Sequence, residues 1–176
     1  LLPLENQIHF SEKIIHLPRS YQCLDDTITI DNNEMNREDL ELPEKTFVFT
    51  SFNSCYKITP NEFNIWMSIL LEVEDSCLWI YVQNRISEAN IIKEVTMRNI
   101  SPSRIIFAKR LPLRKHLARH KFGNLFLDTF NYSAGVTASL ALYAGMPIVS
   151  LLGKSYASRM SASLLSTLGM DELIAK

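Results

Sequence analysis

The sequence predicts an α/β fold in which a parallel sheet is covered by helices on both faces. From residue 46 onward, five short apolar runs alternate with five segments of helical periodicity. Alternation of this kind produces strand–helix–strand units and therefore parallel strands. The apolar runs are continuous rather than interrupted at every second residue, which indicates strands buried on both faces.

Size and composition fit one packed domain, or one domain with a short arm. The 176 residues are 47% hydrophobic and 21% charged, and the net charge is −1. The absence of a basic run argues against nucleic acid or a membrane surface as a partner. No apolar stretch is long enough to span a bilayer, and the first residues lack the features of a signal peptide. Three cysteines without CxxC spacing fit reduced thiols, so we expect a cytoplasmic protein.

The first 45 residues are the least regular part of the chain. The segment 31–44 is rich in Asn, Asp and Glu, and only Thr27–Ile30 suggests a brief strand. We interpret 1–45 as a linker or the tail of a preceding lobe, and 46–176 as the folded lobe. The chain begins without methionine, and its end, Asp171–Lys176, resembles the start of a helix. We therefore expect a piece of a longer protein, truncated at both ends.

The first two strand–helix units are the clearest. Phe47–Phe52 is a strand by its β-branched and aromatic content. Thr59–Glu62 has the pattern of a capping box that opens a helix. The apolar residues of that helix recur at a spacing of three or four: Phe63, Trp66, Ile69, Leu70 and Val73. A second strand at 77–82 leads to a helix that Ser87 is predicted to cap.

The second half of the chain repeats this alternation. Its predicted elements are a strand at 104–107, a helix from Pro112, a strand at 125–127, a helix at 136–144, a strand at 148–152 and a last helix from Ser155. Trp66 and Trp79 lie in helix and strand patterns, and we expect both in the core.

Ligands of such folds bind outside the carboxyl ends of the strands, which makes the loops after the strands the candidate site. The loop 128–135 is small and polar and precedes a helix, so its free N–H groups and the helix dipole suit an anion. An ordinary strand-to-helix turn is the alternative. Neither GxGxxG after the first strand nor GxxxxGK[ST] occurs, which disfavours dinucleotide dehydrogenases and P-loop NTPases.

Several side chains near these loops are candidates for ligand binding, and for each of them a purely structural role is the alternative. Lys57 is placed to meet a phosphate, or it is a solvated surface lysine. His116 and His120 are one helical turn apart, like half a metal site, but no third ligand lies near them in sequence. They and Arg119 also suit stacking on a ligand ring. Asp128, which ends the fourth strand, either binds a ligand or caps the loop.

Eight stretches also carry a family resemblance: SEKIIHLP (11–18), FNSCYKITP (52–60), LWI (78–80), RIIF (104–107), LPLRKHLARH (111–120), LFLDTF (125–130), ALYAGMPIVS (141–150) and ASRMSASLLSTLGMDELI (157–174). In this order and spacing they resemble the carboxyl-terminal catalytic lobe of the O-GlcNAc transferase family, including its bacterial members linked to tetratricopeptide repeats. The resemblance covers nearly all of 11–176.

The resemblance implies the second, Rossmann-like lobe of a GT-B glycosyltransferase. Such a lobe binds a UDP-sugar, UDP-N-acetylglucosamine in the best-known members, for transfer to Ser or Thr of proteins; a related branch modifies Asn. The family's enzymes are inverting and use no metal or other cofactor. A first lobe and a repeat array are the partners implied within the full-length protein. Because the family's acceptor residues lie mostly in that first lobe, we expect this chain alone to be inactive.

The resemblance also implies roles for individual residues. Lys57 matches the lysine that contacts the diphosphate and neutralises the leaving UDP, which is catalysis by charge stabilisation. Ser54 matches a loop residue near the phosphates, His116 the histidine against the uracil ring, and Arg119 the arginine one turn later. The remaining implied donor-binding positions are the backbone at Leu111 and Leu113, which reads the uracil edge, and the diphosphate loop Ala134, Gly135, Val136 and Thr137.

The diphosphate loop departs from the family pattern, which is small-His-Thr-Thr-small-x-Asp. Gly135 replaces the histidine, Val136 the first threonine and Leu140 the aspartate, so that only Thr137 remains. Losing these hydrogen bonds costs on the order of a few kcal/mol of binding energy. Two alternatives therefore stay open beside the donor-binding lobe. One is a non-catalytic scaffold or partner-binding lobe with a degenerate nucleotide site, and the other is a lobe that binds a different nucleotide or small anion.

Overall fold

The fold was described from a computed structural model, which describes residues 1–31 and 35–176. The strands are β1 (Phe47–Ser51), β2 (Ser76–Tyr81), β3 (Ile105–Ala108), β4 (Leu125–Leu127), β5 (Ile148–Leu151) and β6 (Ile174–Ala175). The helices are α1 (Pro60–Glu72), α2 (Arg85–Met97), α3 (Leu113–Arg119), α4 (Val136–Tyr143) and α5 (Met160–Thr167). These elements confirm the predicted α/β alternation.

All strand pairs in the sheet are parallel, in the order β3-β2-β1-β4-β5-β6. Strands β2 and β3 lie on one side of β1. The chain then returns and places β4 against the other side of β1. Phe49 lies beside Leu125 in that pairing. The strand order reverses between β1 and β4, and such switch points are where sheets of this kind form a ligand crevice.

Each face of the sheet has its own apolar core, because successive strand residues point to opposite faces. Phe49, Leu78 and Ile80 pack with α1 and α2 on one face. On the other face, small side chains of α4 and Leu164 of α5 pack against Val48 and Trp79. Trp66 and Trp79 are each 1% exposed, which confirms that both belong to the core. The predicted coverage of both faces is therefore confirmed.

The ends of three helices differ from the predictions. The cap of α2 is Asn84, whose side chain accepts the N–H of Ser87 at 2.9 Å, so the helix begins before Ser87. The last helix begins at Met160 rather than Ser155, because Ser155 and Ser158 bond each other and a 3-10 turn follows. Val73 lies at the end of α1 and is exposed rather than inward.

The two irregular ends of the chain were also predicted wrongly in part. Asp171–Leu173 is a single 3-10 turn, and the chain then adds β6 to the open edge of β5 instead of starting a helix. Pairing with the sheet here overrides local helical preference. Residues 27–30 form no strand, because they lie against α4, where the Tyr143 hydroxyl donates to the Ile28 carbonyl, and not beside a sheet edge.

The described residues of the segment 1–45 form an arm that lies against the helices of one face. Thr167 of α5 donates to the Arg19 carbonyl, and the Asp31 N–H donates to the Arg114 carbonyl in α3. Leu42 is buried in the core at the end of the arm. Residues 32–34 of the segment predicted as a linker lie outside the described residues. Within the part of the chain that is described, no helix is long and apolar enough to cross a membrane.

Candidate functional site

Lys57 joins the two loops that flank the switch point. It lies in the loop after β1, and its Nζ donates to the carbonyl of Ser133 in the loop after β4 at 3.2 Å. The ammonium also lies 3.8 Å from the centre of the Tyr132 ring, a cation–π contact. Burial lowers the pKa of Lys57, while the nearby Asp128 carboxylate raises it. The structure thus places a half-buried cation across the crevice.

Asp128 is buried and holds the loop after β4 in place through hydrogen bonds. Its Oδ1 accepts from the Asn53 side chain at 3.0 Å and from the N–H groups of Thr129 and Ala134 at 2.8 Å. Its Oδ2 accepts from the Ser150 hydroxyl at 2.7 Å. Burial raises the pKa of Asp128, and the hydrogen bonds from Ser150, Ala134 and Thr129 oppose the rise. Of the two roles considered for Asp128, its contacts fit the one that holds the loop.

Glu62 makes a second tie between the two loops. Its carboxylate accepts from the Thr59 hydroxyl and backbone N–H, which confirms the predicted capping box. Its other oxygen accepts the N–H of Phe130 at 2.9 Å. Burial raises the pKa of Glu62, but the hydrogen bonds from Thr59, Phe130 and Asn131 outweigh it and lower the pKa overall. One glutamate therefore fixes the start of α1 to the loop after β4.

We expect Glu62→Ala to lower the free energy of unfolding by about 2 to 4 kcal/mol, because it leaves two backbone donors without an acceptor and removes one half of the capping box. Urea unfolding at pH 7 measures the change. Glu72→Ala, at the exposed end of the same helix, is the matched control and should change stability by less than about 0.5 kcal/mol. Equal stabilities of the two variants would contradict the tie.

The start of α4 is built as a small, closely packed loop. The Ser133 hydroxyl donates to the Ala157 carbonyl at 2.9 Å, and the Ser161 hydroxyl donates to the Ala134 carbonyl at 2.6 Å. Gly135 precedes the helix without a side-chain cap, and a Cβ there would lie 2.5 Å from the Met160 methyl carbon. The N–H groups of the first helical turn lack partners within the helix, which makes them available to an anion.

His116 and His120 are neutral and pack against one aromatic ring. Their ring centres lie 5.5 and 5.4 Å from that of Phe52, which follows β1. His120 Nδ1 bonds the His116 carbonyl at 2.7 Å and therefore carries the hydrogen. Burial lowers the pKa of His116 to about 3 and that of His120 to about 4. Among residues 1–31 and 35–176, no group of three or more His, Cys, Asp or Glu side chains is placed to hold a metal ion.

Arg119 lies inside the protein rather than at an open surface. It is 3% exposed, and its Nη1 donates to the Lys109 carbonyl at 2.5 Å. The guanidinium also lies 4.3 Å from the centre of the Phe52 ring, and burial lowers its pKa to about 10. Arg119 thus supports the backbone that leads from Lys109 to Leu111. Leu111 is half-buried and Leu113 is exposed.

The structure brings some of the sequence-predicted positions together and holds others apart. Lys57 meets the loop that contains Ala134 and Gly135, whereas His116 and Arg119 form a second group around Phe52. Ser54 belongs to the same loop as Lys57, and its carbonyl accepts the Lys57 N–H. At the start of α4, Ala134 is buried, Val136 is exposed and Thr137 is half-buried.

Three contributors to this region were missed from the sequence. Asn53 and Ser161 bond partners on distant segments, and no local pattern marks Ser161. Tyr21 belongs to the irregular arm, yet its hydroxyl oxygen lies 3.3 Å from the position that a Cβ on Gly135 would take. A polar residue directly after a buried strand was the one available signal, and it applied to Asn53.

The strand order is that of a Rossmann-like lobe, and the half-buried cation at the switch point and the uncapped helix start are groups that suit an anion. The model of glycosyl transferase family 41 matches residues 26–176. The chain belongs to this family, which confirms the resemblance to the O-GlcNAc transferases.

Relatives and a solved structure agree with this assignment. The chain is 30% identical over 173 residues to the probable UDP-N-acetylglucosamine–peptide N-acetylglucosaminyltransferase SEC of Arabidopsis thaliana, covering 96% of this chain and 18% of that protein. It is 35% identical over 141 residues to the corresponding transferase of Caenorhabditis elegans, covering 80% and 12%. A variant of the Thermobaculum terrenum O-GlcNAc transferase matches with a TM-score of 0.72 and 28% identity, covering 76% of this chain and 26% of that chain. The chain thus spans less than a fifth of the length of these two relatives.

Proposed function

We propose that this chain is the donor-binding lobe of a protein glycosyltransferase and that it binds a UDP-sugar across the switch point. The observation that carries the proposal is the Lys57 ammonium, held against the loop that opens α4. A half-buried cation beside the free N–H groups of a helix start is a suitable site for a diphosphate. Membership of glycosyl transferase family 41 and the names of the relatives support the choice of a UDP-sugar.

In this proposal the diphosphate takes the place of the Ser133 carbonyl as the partner of Lys57. The ammonium then faces the charge that develops on UDP as the sugar leaves, and it stabilises the transition state without a metal. The backbone N–H groups of Gly135, Val136 and Thr137 and the nearby Ser54 complete the phosphate site. Asp128 and Glu62 hold both loops at fixed separation, which is the preorganisation that this kind of catalysis requires.

The nucleobase would lie at the second group of residues. His116, kept neutral by burial, presents a ring to the uracil. The backbone between Leu111 and Leu113 offers hydrogen-bonding groups to the uracil edge, and Arg119 fixes that backbone through Lys109. In this proposal these groups bind the nucleobase directly, and the site takes the nucleotide sugar without a metal.

The reaction that fits the relatives is inverting transfer of N-acetylglucosamine to Ser or Thr of a protein. The acceptor and the residue that removes its proton would come from a first GT-B lobe, with tetratricopeptide repeats presenting the acceptor in the cytoplasm. We therefore expect this chain alone to bind the donor without transferring the sugar.

Lys57→Met is expected to weaken UDP binding by about 30- to 100-fold, which corresponds to the loss of one charged hydrogen bond. Calorimetric titration with UDP, and then with UDP-N-acetylglucosamine, measures the change. Lys93→Met, at an exposed position of α2, is the matched control and should leave the dissociation constant unchanged. Equal affinity of Lys57→Met and the unchanged protein would contradict the proposed role of Lys57.

A non-catalytic scaffold is the second candidate, and one observation favours it. Val136 places an exposed apolar side chain in the first turn of α4, where the family pattern has a threonine. This candidate predicts no saturable binding of UDP or of any sugar nucleotide. A competition panel of purine and pyrimidine nucleotides would separate both candidates from a lobe that binds another nucleotide.

A further inference from the structure

The hydroxyl of Tyr21 is a buried donor that has nothing to bond. It is among the buried side-chain oxygens that lack a hydrogen-bond partner in the described part of the chain. An unsatisfied buried hydroxyl costs about 1 to 3 kcal/mol, and proteins keep few of them. This cost calls for a compensating role.

The place that this hydroxyl occupies is the space above Gly135. Its oxygen lies 3.3 Å from the position that a Cβ on Gly135 would take, next to the start of α4. Any other residue at 135 would crowd this hydroxyl and the Met160 methyl group, which would lie 2.5 Å from its Cβ. Gly135 and Tyr21 are therefore complementary: the glycine makes the space, and the arm fills it with a polar group.

The arm holds Tyr21 in this position from both sides. Before it, the Arg19 carbonyl accepts from Thr167, and after it the Ile28 carbonyl accepts from Tyr143. The ring of Tyr21 also packs edge-on to Tyr156, with ring centres 6.2 Å apart. A side chain anchored in this way loses little further freedom when a ligand arrives.

The surroundings keep the hydroxyl protonated. Burial, together with the negative charge of Asp128 and the neighbouring Tyr156 and Tyr132, raises the pKa of Tyr21 to about 12. It is therefore a donor at every physiological pH. The Lys57 ammonium, which donates to the Ser133 carbonyl, is a second donor at the same loop. Two donors and a helix start thus surround the same loop.

We propose that the Tyr21 hydroxyl is a donor to the diphosphate of the nucleotide sugar, supplied by the arm in the space that Gly135 leaves open. The inference rests on the proposed function, because it places Tyr21 in the same site. It assigns to the arm a part in donor binding, so that the segment 19–28 belongs to the site rather than to a linker. A hydroxyl that donates to a phosphate is a charge-assisted hydrogen bond, about twice as strong as a neutral one.

The test compares UDP with uridine on the Tyr21→Phe variant of the whole chain. We expect the variant to bind UDP about tenfold more weakly, which is the loss of one charge-assisted hydrogen bond. Uridine affinity should stay the same, because uridine lacks the phosphates. Thermal unfolding without ligand should show an equal or higher midpoint, because the variant removes an unsatisfied buried group. A merely structural tyrosine would not separate the two ligands in this way.

Ser68→Ala is the matched control, because it removes an exposed hydroxyl of α1 that donates to the Asn64 carbonyl and touches neither the arm nor the loop before α4. It should leave UDP affinity unchanged. Equal UDP affinity of Tyr21→Phe and the unchanged protein would overturn the inference while the proposed function stands. Tighter UDP binding by Tyr21→Ala would also overturn it, since the arm would then obstruct the site. Absence of UDP binding by the unchanged protein would reject the proposed function and the inference together.

Discussion

Replacement of Asp128 by alanine is expected to lower the free energy of unfolding by about 3 to 5 kcal/mol, which is a large fraction of the stability of an ordinary domain. The carboxylate accepts hydrogen bonds from the Asn53 side chain, the Ala134 N–H and the Ser150 hydroxyl, all of them buried. The alanine variant leaves these donors without an acceptor inside the protein, and each unsatisfied donor costs about 1 to 3 kcal/mol.

Urea unfolding at pH 7 measures this effect. Asp26→Ala changes an exposed aspartate of the arm and should stay within about 0.5 kcal/mol of the unchanged protein. Asp128→Asn keeps one oxygen acceptor and should fall between the two. A loss below about 1 kcal/mol for Asp128→Ala would show that water replaces the carboxylate, and the loop after β4 would then not depend on it.

Acidification from pH 7 to pH 5 is expected to destabilise the protein by about 2 to 4 kcal/mol, because two histidines are neutral in the folded state. Burial lowers the pKa of His116 to about 3 and of His120 to about 4, against an ordinary value of 6.5. Between these values the unfolded chain binds protons that the folded protein does not, so stability falls as the pH falls. The contribution is fully present above pH 6.5 and is lost progressively toward pH 4.

The pH dependence is assigned by comparing variants, because Asp128 acts in the opposite direction. Its raised pKa favours the folded state as the pH falls through its titration range. His120→Gln keeps hydrogen-bonding groups but cannot titrate, so the difference between urea midpoints at pH 7 and pH 5 should shrink by about half. His9→Gln, on the exposed arm, should show the full difference. An unchanged difference in His120→Gln would refute the assignment.

The fold could be predicted because its signals are local. The capping box at Thr59–Glu62 and the apolar spacing of α1 lie within a few residues of one another. The order of the strands could not be predicted in this way, since nothing local to β4 specifies that it pairs with β1. The last strand was missed for a related reason: β6 is two residues long and exists because β5 offers it an edge.

The candidate site shows the same difference between local signals, which the sequence reveals, and contacts between distant residues, which it does not. Lys57 and the loop before α4 were predicted from their places after strands, and the structure joins them. The second role of Glu62 was not predictable, because its partner Phe130 is 68 residues away. Arginine is usually found at the protein surface, so the sequence does not predict that Arg119 is buried. Its burial is explained by packing against the Phe52 and Trp79 rings.

The strand order also divides the protein into two halves that depend on each other at the site. Strands β1 to β3 are consecutive in the chain, and so are β4 to β6, whereas β1 and β4 share only two register pairs. Side-chain hydrogen bonds cross this junction and link residues 68 to 76 positions apart, through Glu62, Asn53, Lys57 and Asn124. The Thr50 hydroxyl also donates to Met146, 96 positions away. A ligand that contacts both halves would therefore hold them together, and neither half alone would provide all of its contacts. Its binding would stabilise the assembled fold by an amount that rises with ligand concentration, about 2.7 kcal/mol at 100 times the dissociation constant.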